Sequence, residues 1–187
     1  MSENGPHDHE RRFHGGAERL RAPERVKLLE TEAVMQLCAE GIDLESVLDV
    51  GTGTGIFAEA FAGRLLRVTG IDPDRELLAI ARGHVPEGAF IEAAAEKLPF
   101  DDASFDLVFL GHVLHETDNP GEALREAKRV ANKRAAVLEW PYRKEEMGPP
   151  LENRLKPTHI MDLARRAGFT AVERIRLTHM DFYRLRP

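Results

Sequence analysis

Cysteine is almost absent from this chain. Cys38 has no partner with which to close an internal disulfide, and no cysteine pair has zinc-finger spacing. Its expected role is a small apolar side chain on a helix face. An excess of basic charge is missing too: 26 Lys and Arg stand against 32 Asp and Glu, for a net charge of -6. No overall positive field exists to hold a phosphate backbone, so nucleic acid is not an expected partner. No apolar stretch approaches the ~18 to 20 residues of a membrane span, and the N-terminus lacks the apolar run of a secretory signal. A soluble cytoplasmic protein without membrane insertion is expected. With 187 residues, 42% of them hydrophobic, the chain can bury one core, whereas splitting it would leave two marginal halves.

The opening MSENGPHDHERR is polar, carries Gly and Pro, and cannot support a packed face, so residues 1–21 read as a mobile tail preceding a domain over 22–187. His7, His9 and His14 within it have no strand or helix to fix a coordination geometry, and no metal site is expected. From Pro23 the pattern predicts one helix, with apolar residues at spacings of three and four until Gly41. Strand and helix patterns then alternate. SVLDV, RVTGID, AFIEAA, FDLVFLG and AAVLEW read as strands, and IFAEAFAGRLL, RELLAIARGHV and GEALREAKRVA as the helices between them. This alternation predicts an α/β three-layer sandwich, a Rossmann-like parallel sheet with helices on both faces and right-handed crossovers. Past AAVLEW come a proline-rich excursion, PYRKEEMGPPLENRLKP, a helix THIMDLARRAGF ended by Gly168, and two closing strands, TAVERIRLT and MDFYRLR.

The sharpest local feature is VLDVGTGTGIF, residues 47–57. Glycines let a backbone turn sharply and let a ligand approach without a Cβ in the way. In an open parallel sheet such a loop lies at the carboxyl ends of the strands, where ligands bind. Dinucleotide fingerprints space their glycines G-x-G-x-x-G, so that a helix N-terminus meets the pyrophosphate. Here Gly51, Gly53 and Gly55 alternate with Thr52 and Thr54, and Asp49 precedes them inside the strand end. A carboxylate there would repel a pyrophosphate and suit a ligand bearing an ammonium and a sulfonium. Asp72 ends the next strand in VTGIDPD, where a carboxylate can accept both hydroxyls of a ribose. Its competing role is a helix N-cap with Pro73 at the first helical position.

Taken in order, VLDVGTGTG, VTGIDPD and AAAEKLPFDDASFDLVFLGHVLHETDNPGEALREAKRV resemble the class I S-adenosylmethionine-dependent methyltransferases. The likeness is strongest to the broad group that includes ubiquinone and menaquinone biosynthesis methyltransferases, and it covers roughly residues 40–140. It implies a seven-stranded sheet, mostly parallel, with one antiparallel strand near the C-terminus. It also implies S-adenosyl-L-methionine as cofactor and S-adenosyl-L-homocysteine as product. By position, Asp49 and the Gly51, Thr52, Gly53 and Gly55 loop would pass under the methionine portion, and Asp72 would hold the ribose. Pro73 or Leu77 would touch the adenine, Ala95 and Glu96 would border its edge, and Gly111 with His112 would sit next to the methionine end. Two departures stand out. Ala94 occupies a position where many relatives carry an acid, so one hydrogen bond to the adenine amino group is either missing or supplied by Glu96, and ANKRA replaces a Gly-Gly turn, which Asn132 could make in a left-handed conformation.

Methyl transfer is an in-line displacement at a carbon already activated by positive sulfur, so alignment and exclusion of water are the main demands. A base is needed only if the acceptor must lose a proton. GHVLHETD offers His115 and His112 as candidate catalytic groups, with Glu116 beside them. Trp140 and Tyr142 could wall an acceptor pocket, Arg154 could pair an acidic substrate, and RFHGGAERL could close as a lid hinged at Gly15 and Gly16. The expected function is methyl transfer to a small-molecule acceptor. The alternatives are a non-catalytic S-adenosylmethionine-binding sensor or partner subunit, and then an NAD-dependent dehydrogenase, which shares the sheet and the ribose acid.

Overall fold

The computed structural model describes residues 16–187. Each predicted apolar run becomes a strand: β1 (Ser46–Val50), β2 (Arg67–Asp72), β3 (Ala89–Glu92), β4 (Phe105–Gly111) and β5 (Ala131–Glu139). These five pair in parallel, and the closing strands β6 (Ala171–Arg176) and β7 (Asp181–Arg186) complete one sheet of order β3-β2-β1-β4-β5-β7-β6. Only β7 runs antiparallel, hydrogen-bonded to β5 on one side and β6 on the other. The strand order reverses between β1 and β4, which opens a cleft beyond their carboxyl ends.

Both faces of the sheet are apolar because helices cover both. Val47, Leu107 and Phe109 face α3 (Thr31–Ala39), α4 (Ile56–Ala62) and α5 (Arg75–His84) through Cys38, Phe61 and Leu78. Leu48, Val108 and Leu110 pack instead with Leu124 and Val130 of α6 (Pro120–Val130) and Ile160 of α7 (Pro157–Arg166). Cys38 is fully buried, as an apolar role requires, and burial pushes its thiol pKa up to about 12. Among the described residues, no helix is long and apolar enough to cross a membrane.

Three local expectations need correction. The single helix expected from Pro23 is two, α2 (Pro23–Leu28) and α3, and a further short helix, α1 (Ala17–Leu20), lies within the segment expected to be a mobile tail. The break falls at Glu30, which adopts a left-handed backbone while its carboxylate accepts the N–H groups of Thr178 and His179 at 3.1 and 2.7 Å. The N-cap of α5 is Asp74, whose Oδ1 accepts from Glu76 and Leu77, rather than Asp72. Asn132 makes no left-handed turn: α6 passes directly into β5, and the Asn132 amide donates to Asp106. The tail histidines and Gly15 lie outside the described residues.

Candidate active site

The cleft at the strand reversal holds a cavity of about 490 Å³. Its floor is the glycine loop. Asp72, 8% exposed, fixes that loop from the neighbouring strand: Oδ2 accepts the Gly53 N–H at 2.9 Å and Oδ1 the Asp74 N–H at 2.9 Å. The carboxylate retains lone pairs for a ligand. Burial pushes the Asp72 pKa up, against the opposing effect of those two backbone bonds. Gly53 lies at φ +53, and a Cβ there would meet only the Leu20 Cδ1 at 3.8 Å and the Gly51 carbonyl oxygen at 4.0 Å, so the backbone presents its bare face to the cavity.

Asp49 sits differently from the expectation. It is 2% exposed and absent from the cavity wall, accepting the Thr52 hydroxyl at 2.7 Å and a backbone bond from Ala58. Burial raises its pKa to about 7. Asp49 is therefore a support beneath the loop. The structure brings Gly51, Thr52, Gly53, Asp72, Gly111, His112 and His115 together on the wall, with Leu77. Gly55 caps α4, and Pro73 and Ala95 lie off the wall, Ala95 within the core. Glu96 turns its carboxylate to the N–H groups of Asp118 and Asn119 at 3.0 and 3.3 Å, holding the loop before α6.

His112 and His115 leave the end of β4 in contrasting states. His112 has a left-handed backbone, φ 61, and both ring nitrogens are buried without a hydrogen-bond partner. Burial first, then the nearby Arg25 and His115, hold its pKa well below the ordinary histidine value. A neutral ring with two unpartnered nitrogens on a cavity wall is poised to meet a ligand. His115 Nδ1 lies 2.8 Å from Glu139 Oε2, and its backbone N–H donates to Glu139 Oε1 at 3.2 Å. Burial alone would lower the His115 pKa, but the Glu139 charge and hydrogen bond, with Glu116, outweigh it and the net shift is upward.

Trp140 forms the far wall, its ring 5.2 Å from that of His112. Tyr142 does not share this role: it lies outside the cavity, 39% exposed, with the Lys156 ammonium over its ring. Arg154 does not face the cavity either. Its Nε donates to the Pro149 carbonyl, Nη1 to those of Pro141 and Arg143, and Nη2 to that of Met147, at 2.8 to 3.0 Å. It is the staple of the proline-rich excursion, whose Gly148, Pro149 and Pro150 reach the cavity.

Sequence reasoning missed several contributors. Glu139 bears the same signature as Asp49 and Asp72, an acid closing an apolar strand, but no motif drew attention to it. Arg19, Leu20, Arg25 and Leu29 reach the wall from the N-terminal helices. Arg21 ties that segment to the glycine loop, Nη1 donating to the Thr54 carbonyl at 2.8 Å and Nη2 pairing with Glu59. Among the described residues, no group of three or more His, Cys, Asp or Glu side chains could hold a metal ion.

Residues 48–138 match the family model described as a methyltransferase domain. Residues 48–138 form a methyltransferase domain of the class I S-adenosylmethionine-dependent kind. Over 92 residues it is 41% identical to a demethylmenaquinone methyltransferase of Chlorobaculum tepidum, a match covering 49% of this chain and 38% of that relative. The chain spans less than half the length of this and other curated relatives it matches. A solved S-adenosylmethionine-dependent methyltransferase of Aquifex aeolicus superimposes with a TM-score of 0.78 at 24% identity, covering 90% of this chain and 95% of that one. A solved [4+2]-cyclase also shares the fold, at 28% identity and a TM-score of 0.63, covering 77% of this chain and 60% of that one. The cofactor of this methyltransferase family is S-adenosylmethionine. The wall fits it: Asp72 for a ribose, a bare Gly53 backbone, an unpartnered His112 ring, and both acids and arginines for a ligand that carries both charge signs.

Proposed function

We propose that this methyltransferase domain transfers a methyl group from S-adenosylmethionine to a small-molecule acceptor in the cytoplasm. The observation that carries the reading is the pairing of Asp72 with the glycine loop at the strand reversal, which leaves a buried carboxylate facing a cavity of about 490 Å³. That volume falls within the range of small-ligand sites and leaves no room for a macromolecular acceptor to enter bodily. The net charge of -6 argues against nucleic acid, and the relatives named demethylmenaquinone methyltransferases favour a small molecule.

The cofactor supplies an electrophilic methyl carbon on positively charged sulfur. The rest falls to the chain's own residues. Asp72 binds and orients through ribose hydroxyls, the glycine loop permits close approach, and Trp140, Leu29 and Phe57 exclude water from the reacting end. His112 contacts the cofactor, and His115 takes up a proton where the acceptor has one to lose. The segment from α1 to α2, pinned by Arg21, closes the cavity as a lid.

A non-catalytic S-adenosylmethionine-binding role is the second reading, favoured by the structural likeness to a [4+2]-cyclase, a protein named for a chemistry other than methyl transfer. Incubation with S-adenosylmethionine labelled in the methyl group and a small-metabolite extract separates the two. Label recovered in an extract component supports transfer; saturable cofactor binding with no label transferred rejects it.

A further inference from the structure

The acceptor end of the cavity contains a buried carboxylate and imidazole whose geometry is more specific than methyl transfer requires. Glu139 closes β5 and is 2% exposed; His115 follows β4 and is 6% exposed. Glu139 Oε2 holds His115 Nδ1 at 2.8 Å, while Oε1 and Oε2 accept the backbone N–H groups of His115 and Trp140 at 3.2 and 3.3 Å. One carboxylate thus fixes the backbone and ring of His115 and the start of the Trp140 wall. With Nδ1 committed as the N–H donor, the remaining lone pair is on Nε2, which lies on the side of Glu116, 3.7 Å from its Oε1. His115 and Glu116 both line the cavity, as do Trp140, Pro149 and Pro150. The charged and titratable groups around the ring are Glu139 from β5, Glu116 from its own loop, His112 at the end of β4, and Arg154 from the stapled excursion.

We propose that Glu139 is the positioning residue that makes His115 the general base for methylation of a planar, weakly acidic hydroxyl, a phenol or an enol, held against Trp140. This rests on the methyl-transfer reading above. A thiol ionises near neutral pH without such a device, whereas a phenolic hydroxyl, with a pKa of about 10, does not. The acceptor oxygen gives its proton to His115 Nε2 and forms the new O–CH3 bond as the S–C electron pair returns to sulfur. The positive charge lost at sulfur reappears on the imidazolium, beside the Glu139 carboxylate. Glu139 holds the ring in place and moves no proton. Trp140, Pro149 and Pro150, all on the cavity wall, give a flat ring an apolar surface to lie against.

Two measurements test this. The first follows the His115 ring proton by NMR as pH is varied, in the wild type and Glu139→Gln. The wild-type midpoint is expected above the ordinary histidine value and the variant's below the wild type's; coincident midpoints overturn the positioning role, with no acceptor needed. The second measures transfer of labelled methyl to phenol, catechol and 2-naphthol, against 2-mercaptoethanol and benzylamine. Transfer to a hydroxyl probe is expected, falling about 10²-fold or more in His115→Asn and at least ~10-fold in Glu139→Gln. The acidic limb of the pH–rate profile should also move to lower pH in Glu139→Gln. Transfer only to the thiol or amine, to no probe at all, or with an unshifted profile overturns the proposal. S-adenosylhomocysteine affinity isolates the two readings. If the wild type does not bind it, both fall; if wild type and variants bind it alike while the profile is unshifted, only the dyad falls.

Discussion

The Arg154 guanidinium lies over the Trp140 ring, its Cζ 5.5 Å from the ring centroid, and from there donates to four backbone carbonyls of the excursion between β5 and α7. An irregular, proline-rich segment with no sheet of its own is thereby given a fixed shape over the only tryptophan of the chain. Arg154→Ala would leave those carbonyls without their donor, and unmet buried groups cost about 1 to 3 kcal/mol each where water cannot replace them. A loss of about 3 kcal/mol in urea unfolding is expected, with faster amide exchange over 143–149. Arg154→Lys should restore little, because an ammonium cannot span the same fan of acceptors.

Gly148 packs against the same indole: a Cβ built there lies 2.7 Å from two Trp140 ring atoms. Its φ of +89 adds strain for any other residue. Gly148→Ala should displace the indole and destabilise by about 1 to 3 kcal/mol. Since Trp140 alone reports, a shifted emission maximum is the expected sign; an unchanged spectrum and unfolding midpoint would refute the close packing.

Asp49 supplies a pH signature. Its carboxyl pKa is about 7 in the fold and 3.8 as the unperturbed reference. A raised acid pKa contributes stability that is fully present below the unfolded value and is lost as pH rises through the folded one. Asp49→Asn removes that loss. The variant should gain on the wild type between about pH 4 and pH 7 by up to ~4 kcal/mol, with no further gain above pH 8. Chemical denaturation of both proteins at pH 5 and pH 8 checks it, and equal differences at the two values would contradict the burial argument.

The sheet was legible because apolar runs of strand length alternate with helical spacing, and because glycines and acids close the strands that matter. Asp72 was readable for the same reason, since its position at a strand end fixes which way a carboxylate can point. Asp49 was not, because strand alternation leaves open whether an acid lies on the loop or beneath it. Glu139 carried the same strand-end signal but no glycine loop beside it, and its partner His115 is distant in sequence. Arg154 was hidden by number and by chemistry: it is one of 20 arginines, and its partners are carbonyls that any residue possesses. Arg25 had no motif to mark it, and the break at Glu30 that separates its helix from α3 is made by contacts with the turn before β7, distant in sequence.

The cofactor berth itself is best tested by isothermal titration of S-adenosylhomocysteine into the wild type and Asp72→Ala, with NADH titrated in parallel. Saturable binding to the wild type, affinity at least ~10-fold weaker in the variant, and no binding of NADH are expected from the loss of charge-assisted ribose hydrogen bonds. Equal affinity of the two proteins, or binding of NADH in place of S-adenosylhomocysteine, would contradict it.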